Sequence, residues 1–349
     1  MTAIWDLPDF DQHESIHVFD DLKSGLRAVI ALHSTHLGPG AGGTRFWHYA
    51  DNQAAITDAL RLSRGMSYKN AMAGLPLGGG KGVVLADEKR TKTADILAAF
   101  GRAIESLGGR YVTAEDVGMS DADMVVISKE TRHVAGLPVT KQGYAGGDPG
   151  PYTAHGVYLG IKAAAKYRLG AEDMAGVHVA VQGIGSVGGG VARLLAADGA
   201  RLTIADIDQN KLAQLALETG ASVVPLDKIM TVKADILSPN ALGAVLTTNS
   251  IAALNVPIVA GGANNQIATK SDAQLLFDRG ILYAPDYVIN AAGIINVGLE
   301  YLGNATVQDV YDRIDQIPIR LCAIWDESEA EKMPSSVVAD RMAQRLIGR

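Results

Sequence analysis

The chain has a single cysteine, Cys322, so no disulfide framework can form within it, and a reducing compartment is the simplest setting. It also lacks a basic block. Its 31 Lys and Arg stand against 38 Asp and Glu, a formal net charge of −7, which argues against a nucleic-acid partner. No apolar run suits a bilayer. Residues Ile236 to Thr269 carry no charge at all, but Pro239, Asn240, Thr247, Thr248, Asn249, Ser250, Asn255, Pro257, Asn264 and Asn265 break that stretch. It reads instead as buried strands and loops near a ligand. The opening residues, Met1-Thr2-Ala3-Ile4-Trp5-Asp6, have neither the basic nor the apolar segment of a secretory signal. The expectation is a cytoplasmic protein with no membrane or nucleic-acid partner. What is present is 349 residues, 48% hydrophobic and 20% charged, a composition suited to a folded enzyme of two domains.

The stretch Met66 to Lys81 stands out. It carries Lys69 and Lys81, the second directly after Gly78-Gly79-Gly80, in small and apolar surroundings with no acid nearby in sequence. Successive glycines let backbone and ligand approach closely. An ammonium near a second cation in a poorly hydrated pocket loses its proton more readily, so one lysine suits an anion and the other proton transfer. Around this stretch, Ile16–Phe19 and Leu26–Leu32 read as a hairpin, and Leu37–Arg45 as a glycine-dense loop or strand end whose amides approach a carboxylate. Asp51 or Asn52 caps a helix running towards Lys69, and Gly82–Ala86 reads as a buried strand. A helix over Thr93–Leu107 leads to a strand at Tyr111–Ala114. That strand ends in Glu115-Asp116, acids at a strand end in α/β order.

In the second half, a helix over Thr153–Leu169 precedes a buried strand, Val177–Gln182, and then Gly183-Ile184-Gly185-Ser186-Val187-Gly188 opens a helix. A G-x-G-x-x-G sequence is weak alone, and strand before with helix after is the context that gives it meaning. Gly183 permits the turn, Gly185 clears space for a pyrophosphate, Gly188 lets helix pack on strand, and the amides of Ser186 and Val187 lie at the helix N-terminus. The next strand ends at Asp206, whose carboxylate can bond a ribose diol and repel a 2′-phosphate, favouring NAD over NADP. Further strands at Ser222–Val224, Asp235–Leu237, Ile258–Ala260 and Ile281–Tyr283 alternate with helices, the pattern of a doubly wound parallel sheet. Asn240, Ala260, Asn264 and Asn290 fall just past strand ends, where a nicotinamide would sit. Helices over about Val307–Ile324 and Ser335–Leu346 follow the completed sheet, so the first domain is expected to be discontinuous.

Met66-Ser67-Tyr68-Lys69, Gly78-Gly79-Gly80-Lys81, Glu115-Asp116, the fingerprint at Gly183 and Pro285-Asp286-Tyr287-Val288-Ile289-Asn290 together resemble the Glu/Leu/Phe/Val amino-acid dehydrogenases, in order and over nearly the whole chain. The resemblance implies an α/β protein of two domains with the active-site cleft between them. A substrate-binding and oligomerisation domain would span 1–135 plus about 325–349, and a Rossmann NAD-binding domain 136–324. It implies reversible oxidative deamination of an L-amino acid to the 2-oxo acid and ammonium with NAD, in a homo-oligomer without a metal. Carried over by position, Lys69 would hold the substrate carboxylate with Gly42, Gly43 and Asn264. Lys81 would be the base that activates the hydrolytic water. Asp116 would bind the amine and assist proton transfer.

Side-chain specificity follows from four further positions. Glutamate members place a lysine where this chain has Ala41, so an acidic substrate would lack its partner. Ile294 and Val297, with Met66 beside them in the implied pocket, are aliphatic as in leucine-type members, which favours leucine or valine. Ala41 is smaller than the leucine of many leucine enzymes, and phenylalanine is the alternative it favours. Two departures bear on this choice. Gly147-Asp148-Pro149-Gly150-Pro151-Tyr152 replaces Gly-Asn-Pro-Ser-Pro, with Tyr152 and His155 nearby, and Asn240 replaces a cysteine. A 2-hydroxy-acid dehydrogenase would need a histidine base beside an arginine clamp, and none is placed at the strand ends. A non-catalytic nucleotide-binding protein would have lost Lys69, Lys81 or Asp116, and all three are present.

Overall fold

The computed structural model describes residues 3–7, 9–138 and 143–349. The chain forms two compact units. The first is Met1–Gly147 with Ile294–Val310 and Ala343–Arg349; the second is Asp148–Gly293 with Tyr311–Met342. These limits differ from the division at 135/136 and 325 expected from sequence, and side-chain bonds explain why. Asn296 is fully buried, accepts from the Gly146 amide at 2.8 Å and donates to the Gly146 carbonyl at 3.1 Å. Glu300 accepts from the amides of Gly136 and Leu137 at 3.1 and 3.0 Å. Gly136, Leu137 and Gly146 are thereby tied to 294–310. Conversely, buried Trp325 and the hydroxyl of Ser335 both donate to the Tyr283 carbonyl, at 2.9 and 2.8 Å, which keeps that part of the C-terminal segment with the second unit.

In the first unit, β1 (Ser15–Asp21) and β2 (Leu26–Ser34) form the expected antiparallel hairpin. Next come β3 (Gly40–Ala41), β4 (Thr44–Trp47), α1 (Asn52–Met72), β5 (Gly78–Leu85), α2 (Ala94–Glu105), β6 (Tyr111–Val112) and α3 (Asp121–Ile127). Side-chain caps fix the helix starts: Asp51 accepts from the Ala54 amide, Thr93 from Ile96, and Ser120 with Asp123 makes a reciprocal box. The sheet order is β1-β2-β5-β3-β6, with β4 also on β5. Both faces of β2 are covered, so the strand is apolar almost throughout. Ala28, Ile30 and Leu32 point to a core with Phe100, Ile104, Tyr111, Met124 and Ile127, while Val29 and Ala31 face Ala55, Ala59 and Leu60 of α1.

The second unit opens with α4 (Pro149–Leu169) and continues through β7 (His178–Gln182), α5 (Ser186–Ala197), β8 (Arg201–Ala205), α6 (Gln209–Thr219), β9 (Ser222–Val223), β10 (Ile236–Pro239), α7 (Thr248–Ala253), β11 (Ile258–Val259), α8 (Lys270–Asp278), β12 (Leu282–Tyr283) and α9 (Asp286–Ile289). All strand pairs are parallel, in the order β12-β11-β10-β7-β8-β9. Counted from β7 as the first strand, this is 3-2-1-4-5-6, the doubly wound dinucleotide-binding order. The uncharged stretch from Ile236 supplies the buried strands β10 and β11 as expected, but it also forms the helix α7 and exposes residues 241–244, so it is not buried throughout.

The chain ends in α10 (Ala292–Leu302), α11 (Val307–Ile314), α12 (Gln316–Glu331) and α13 (Ser335–Leu346). The single helix expected over 307–324 is two. Pro318 lacks an amide hydrogen and its ring would crowd the carbonyl of Ile314, so α11 stops there and the proline sits in the first turn of α12. Among the described residues, no helix is long and apolar enough to cross a membrane.

Candidate active site

Lys81 lies inside β5, not in a loop before a strand as its glycine prefix suggested, and is only 5% exposed. The three glycines serve the protein rather than a ligand. A Cβ at Gly79 would sit 2.1 Å from Ser67 Oγ and 2.2 Å from the Ser67 amide, and one at Gly80 would sit 2.7 Å from Tyr111. They let α1 and β3 lie against β5 at backbone distance. Beside Lys81 the pairing is interrupted: β3 matches Ala41 to Gly79 and β4 matches Thr44 to Gly82, leaving Gly42 and Gly43 opposite Gly80 and Lys81. A Cβ on Gly42 would be 2.0 Å from the Gly80 carbonyl oxygen and 2.9 Å from Met66. On Gly43 it would be 2.2 Å from the Glu115 carbonyl oxygen and 3.0 Å from Asp116. Glycine at 43 therefore lets the segment after β6 lie down on the strand, and that brings Asp116 to Lys81.

The Asp116 carboxylate is the meeting point of the site. Its Oδ2 accepts from Lys81 Nζ and, at 3.2 Å, from Arg45 Nε, while Oδ1 accepts from the Val117 amide at 2.7 Å. Burial pushes the Lys81 ammonium below the ordinary lysine range, with Arg45 adding to the effect and Asp116 opposing it. Burial alone would raise Asp116, but Lys81 and then Arg45 outweigh it and hold the carboxyl below its ordinary value. The pair joins an amine whose charged form burial disfavours to an acid whose ionised form its two cations favour. The cation that sits beside Lys81 on the same carboxylate is Arg45, from β4, which the sequence analysis did not single out.

The remaining first-unit candidates are placed by their backbone position. Lys69 and Met66 are half-buried on α1, one turn apart, and Ala41 is 5% exposed at the end of β3. Ile294 and Val297 are half-buried on one face of α10, three residues apart, while their neighbours Ile295 and Asn296 are buried. A Cβ on Gly298 would be 3.0 Å from Leu75, so that helix packs against the segment joining α1 to β5. Asn70, which the sequence reading passed over, is fully buried and donates to the Gly78 and Ala41 carbonyls at 2.6 and 3.3 Å, pinning the turn that carries Lys69 to both strands. A polar residue inside an apolar helix face was the available signal.

In the second unit, Gly183 has φ +82° and its Cβ would lie 2.6 Å from Ala241, and a Cβ on Gly188 would be 1.9 Å from the Gly183 carbonyl oxygen. Gly185, the N-cap of α5, differs: a Cβ there meets nothing within 4 Å. Protein packing does not demand that glycine, and the space it leaves lies at the helix N-terminus beside Ser186 and Val187, where an anion is favoured. Asp206 ends β8 with Oδ2 accepting from the Ile184 amide at 2.7 Å and Oδ1 from the Asp208 amide at 2.9 Å, so its carboxylate is fixed against the fingerprint turn.

Asn240 spends its amide on the fold. It accepts from the Gly262 amide at 2.8 Å and donates to Ser238, which shapes the loop after β11 that Ala260 begins. Asn290 donates to the Gly262 carbonyl and to Asn264 Oδ1, at 3.1 and 2.8 Å. This orients the exposed Asn264 amide with its nitrogen left to donate, and the buried Asn290 Oδ1 has no protein partner. The open cradle at Gly185, the fixed Asp206 carboxylate and this orphaned acceptor together fit a nicotinamide dinucleotide. Asp148 caps α4 by accepting from the Gly150 amide at 2.8 Å, and Tyr152 and His155 pack on Tyr311 with ring centroids at 5.6 and 5.2 Å. Within this unit the departing segment has a structural role. Among the described residues, no group of three or more His, Cys, Asp or Glu is placed to hold a metal ion.

A parallel sheet of dinucleotide-binding order and, in a separate unit, a buried lysine on a carboxylate define a dehydrogenase of the amino-acid type. The comparisons agree. Residues 13–133 match the family model described as "Glu/Leu/Phe/Val dehydrogenase, dimerisation domain", and residues 202–342 match that of "Glutamate/Leucine/Phenylalanine/Valine dehydrogenase". Leucine dehydrogenase of Thermoactinomyces intermedius is 43% identical, with 99% of this chain and 93% of the relative covered. Valine dehydrogenase of Streptomyces albus is 42% identical over 95% of this chain and 92% of that one. The crystal structure of L-tryptophan dehydrogenase from Nostoc punctiforme superposes with a TM-score of 0.87 at 39% identity, covering 96% of both chains. The chain belongs to the Glu/Leu/Phe/Val dehydrogenase family. It is an oxidoreductase acting on the CH–NH2 group of amino acids, in a family that uses nicotinamide dinucleotides.

Proposed function

We propose that the protein catalyses the reversible oxidative deamination of an apolar L-amino acid, of leucine or valine type, to the 2-oxo acid and ammonium, with NAD rather than NADP. The observation that carries this reading is the buried Lys81–Asp116 pair, with Ala41 in place of the lysine that an acidic side chain would need. Lys69 holds the substrate carboxylate, assisted by Gly42, Gly43 and the outward amide of Asn264. A carboxylate fixed at one end leaves Cα–H as the group presented for transfer, which is catalysis by positioning. Asp116, held ionised, takes the substrate amine as its counter-charge. Lys81, its ammonium destabilised by burial, accepts a proton from the water that attacks the imine carbon, and returns it as ammonia leaves the carbinolamine. Gly183, Gly185, Ser186, Val187, Gly188 and Asp206, with Asn240, Ala260 and Asn290 beyond, would hold the dinucleotide, which when bound would supply a hydride acceptor for the substrate Cα. Ile294, Val297, Met66 and Ala41 form an aliphatic wall for the side chain. The family description of residues 13–133 as a dimerisation domain supports a homo-oligomer, and a single cysteine suits the cytoplasm.

The test is NAD reduction at alkaline pH with L-leucine, L-valine, L-phenylalanine, L-tryptophan and L-glutamate, for the wild type and Lys81→Ala. Leucine or valine should lead and glutamate should fail. Lys81→Ala should lose about 10³-fold or more in turnover, the scale of a removed general base, while still binding NAD. A leading rate with phenylalanine or tryptophan would transfer control of the pocket to the small Ala41. Near-normal turnover in Lys81→Ala would end the mechanism.

A further inference from the structure

The site contains a second layer that no part of the proposed chemistry uses. Behind Asp116, the Arg45 guanidinium spans two carboxylates: Nε donates to Asp116 Oδ2 at 3.2 Å and Nη1 to Asp58 Oδ2 at 2.8 Å. Asp58, on α1, is itself clamped, accepting from the Tyr49 hydroxyl at 2.8 Å and from Arg61 Nη2 at 3.0 Å. Asp58 is only 8% exposed and has three donors on its two oxygens, so it is an anchor and not a mobile counter-ion. The planar guanidinium cannot turn without breaking one of its two bonds, a constraint a lysine ammonium would not impose. The chain of contacts therefore runs from α1 through β4 to the acid after β6, and ends on the Lys81 amine in β5. Arg45, Tyr49, Asp58 and Arg61, with Trp47 and Val117, also line a cavity of about 560 Å³.

We propose that Arg45 is a positioning residue for the reaction: clamped by Asp58, it holds the Asp116 carboxylate at the angle at which Lys81 meets it and shares Asp116 Oδ2 so that Lys81 is not fully neutralised. This rests on the reading of Lys81 and Asp116 as the reacting pair. The shared oxygen carries the argument. An aspartate with one cationic partner would follow it, and the Lys81 ammonium would keep its proton in a closed ion pair. With Arg45 competing for the same oxygen, that closure is weakened. The charged and titratable groups that face Lys81 are Asp116, Arg45 from β4 and Asp58 from α1, with buried Tyr111 of β6 bonded to the Gly42 carbonyl at 2.7 Å. Among them Arg45 is the group that favours the neutral amine, so its removal should move Lys81 toward the ordinary lysine value.

The test compares Arg45→Ala, Arg45→Lys and Asp58→Asn with the wild type and Lys81→Ala in the pH profile of kcat/KM for deamination. Arg45→Ala should lose on the order of 10²-fold, the scale of a misplaced catalytic group, with its rising limb shifted to higher pH. Arg45→Lys, which keeps charge but not the fork, should lose rate while its limb stays close to the wild type. Asp58→Asn should lose less rate than Arg45→Ala, and its limb should move the other way, to lower pH, because Asp58 favours the Lys81 ammonium and offsets Arg45. Because the lost side chain opens onto the cavity, millimolar ethylguanidinium should restore at least part of the Arg45→Ala rate, with equimolar urea as the control. Unmoved limbs in all three variants, or no rescue, would reduce Arg45 to a structural ion pair and overturn the proposal. If Arg45→Ala fails to fold, Arg45→Lys and Asp58→Asn decide: lost rate in Arg45→Lys together with a limb moved to lower pH in Asp58→Asn supports positioning, and wild-type rates in both refute it. Lys81→Ala separates the two readings, since its full activity would remove the reacting pair whatever Arg45 does.

Discussion

Two glycine-rich stretches, Gly78–Gly80 before Lys81 and Gly183–Gly188 before α5, look alike in sequence and differ in what needs them. In the first, the atoms that a side chain would strike belong to the protein: Ser67 and Ser63 for Gly79, Tyr111 and Gly40 for Gly80. In the second, Gly183 and Gly188 are bound by protein contacts of the same kind, but Gly185 faces nothing within 4 Å. A glycine required by packing reports on how a fold closes. A glycine that packing does not require, at the turn between a strand and a helix N-terminus, leaves room for a ligand. Lys81 is precise because its neighbours are closed around it, whereas the cradle at Gly185 is useful because it is left open.

The largest expected effect breaks the packed stretch. Gly79→Ala would place a methyl 2.2 Å from the Ser67 amide and 2.4 Å from the Ser63 carbonyl oxygen, backbone atoms of a helix that cannot yield locally. Overpacking of this kind costs about 3 kcal/mol at the upper end of the usual range. For a folding unit of the size that carries Gly79, that is a fall in Tm of roughly 6–12 °C. Thermal unfolding checks it. An unchanged Tm would mean that α1 is not held against β5 by glycine, and Lys81 would then owe its burial to something else.

How much of this was legible beforehand follows the same division. The second unit could be read almost strand by strand, because parallel strands buried on both faces give continuous apolar runs, and the G-x-G-x-x-G turn has a fixed context. The strand carrying Lys81 was placed too late, since Gly78-Gly79-Gly80 has no β-favouring side chains and its pairing comes from β2 and β3. Arg45 and Asp58 were missed for a related reason. Each looks like an ordinary surface charge in sequence, and only the lie of the chain over Gly43 brings Asp116 within reach of both cations. Asp116 itself could be found because acids at strand ends are a recurring place for chemistry, while the domain limits depended on Asn296 and Glu300, which bond loops far away in sequence.

A smaller effect sharpens the open stretch. Gly185→Ala should leave stability within about 1 kcal/mol of the wild type, the cost of alanine for glycine at a helix N-cap. Its NAD affinity should fall by on the order of tenfold, about 1.4 kcal/mol, because the methyl fills the space beside the helix N-terminus. Titration of NAD against intrinsic fluorescence, beside a melting curve, reads both. A loss of stability matching that of Gly79→Ala would erase the distinction between the two stretches.

A third substitution tests which dinucleotide the open cradle takes. Asp206→Ser removes a carboxylate that serves two masters, the ribose diol in the proposal and the Ile184 amide in the structure. Loss of the amide bond should loosen the fingerprint turn for either dinucleotide and lower both affinities alike. Loss of the ribose contact should fall on NAD alone, and loss of the negative charge should ease the approach of a 2′-phosphate. The ratio of NAD to NADP affinity therefore isolates the ribose term from the structural one. A charged hydrogen bond contributes about 1.5–3 kcal/mol, so the ratio should drop by about tenfold or more. If both affinities fall together and the ratio holds, Asp206 is only a brace for the turn, and the preference for NAD must come from another residue of the cradle.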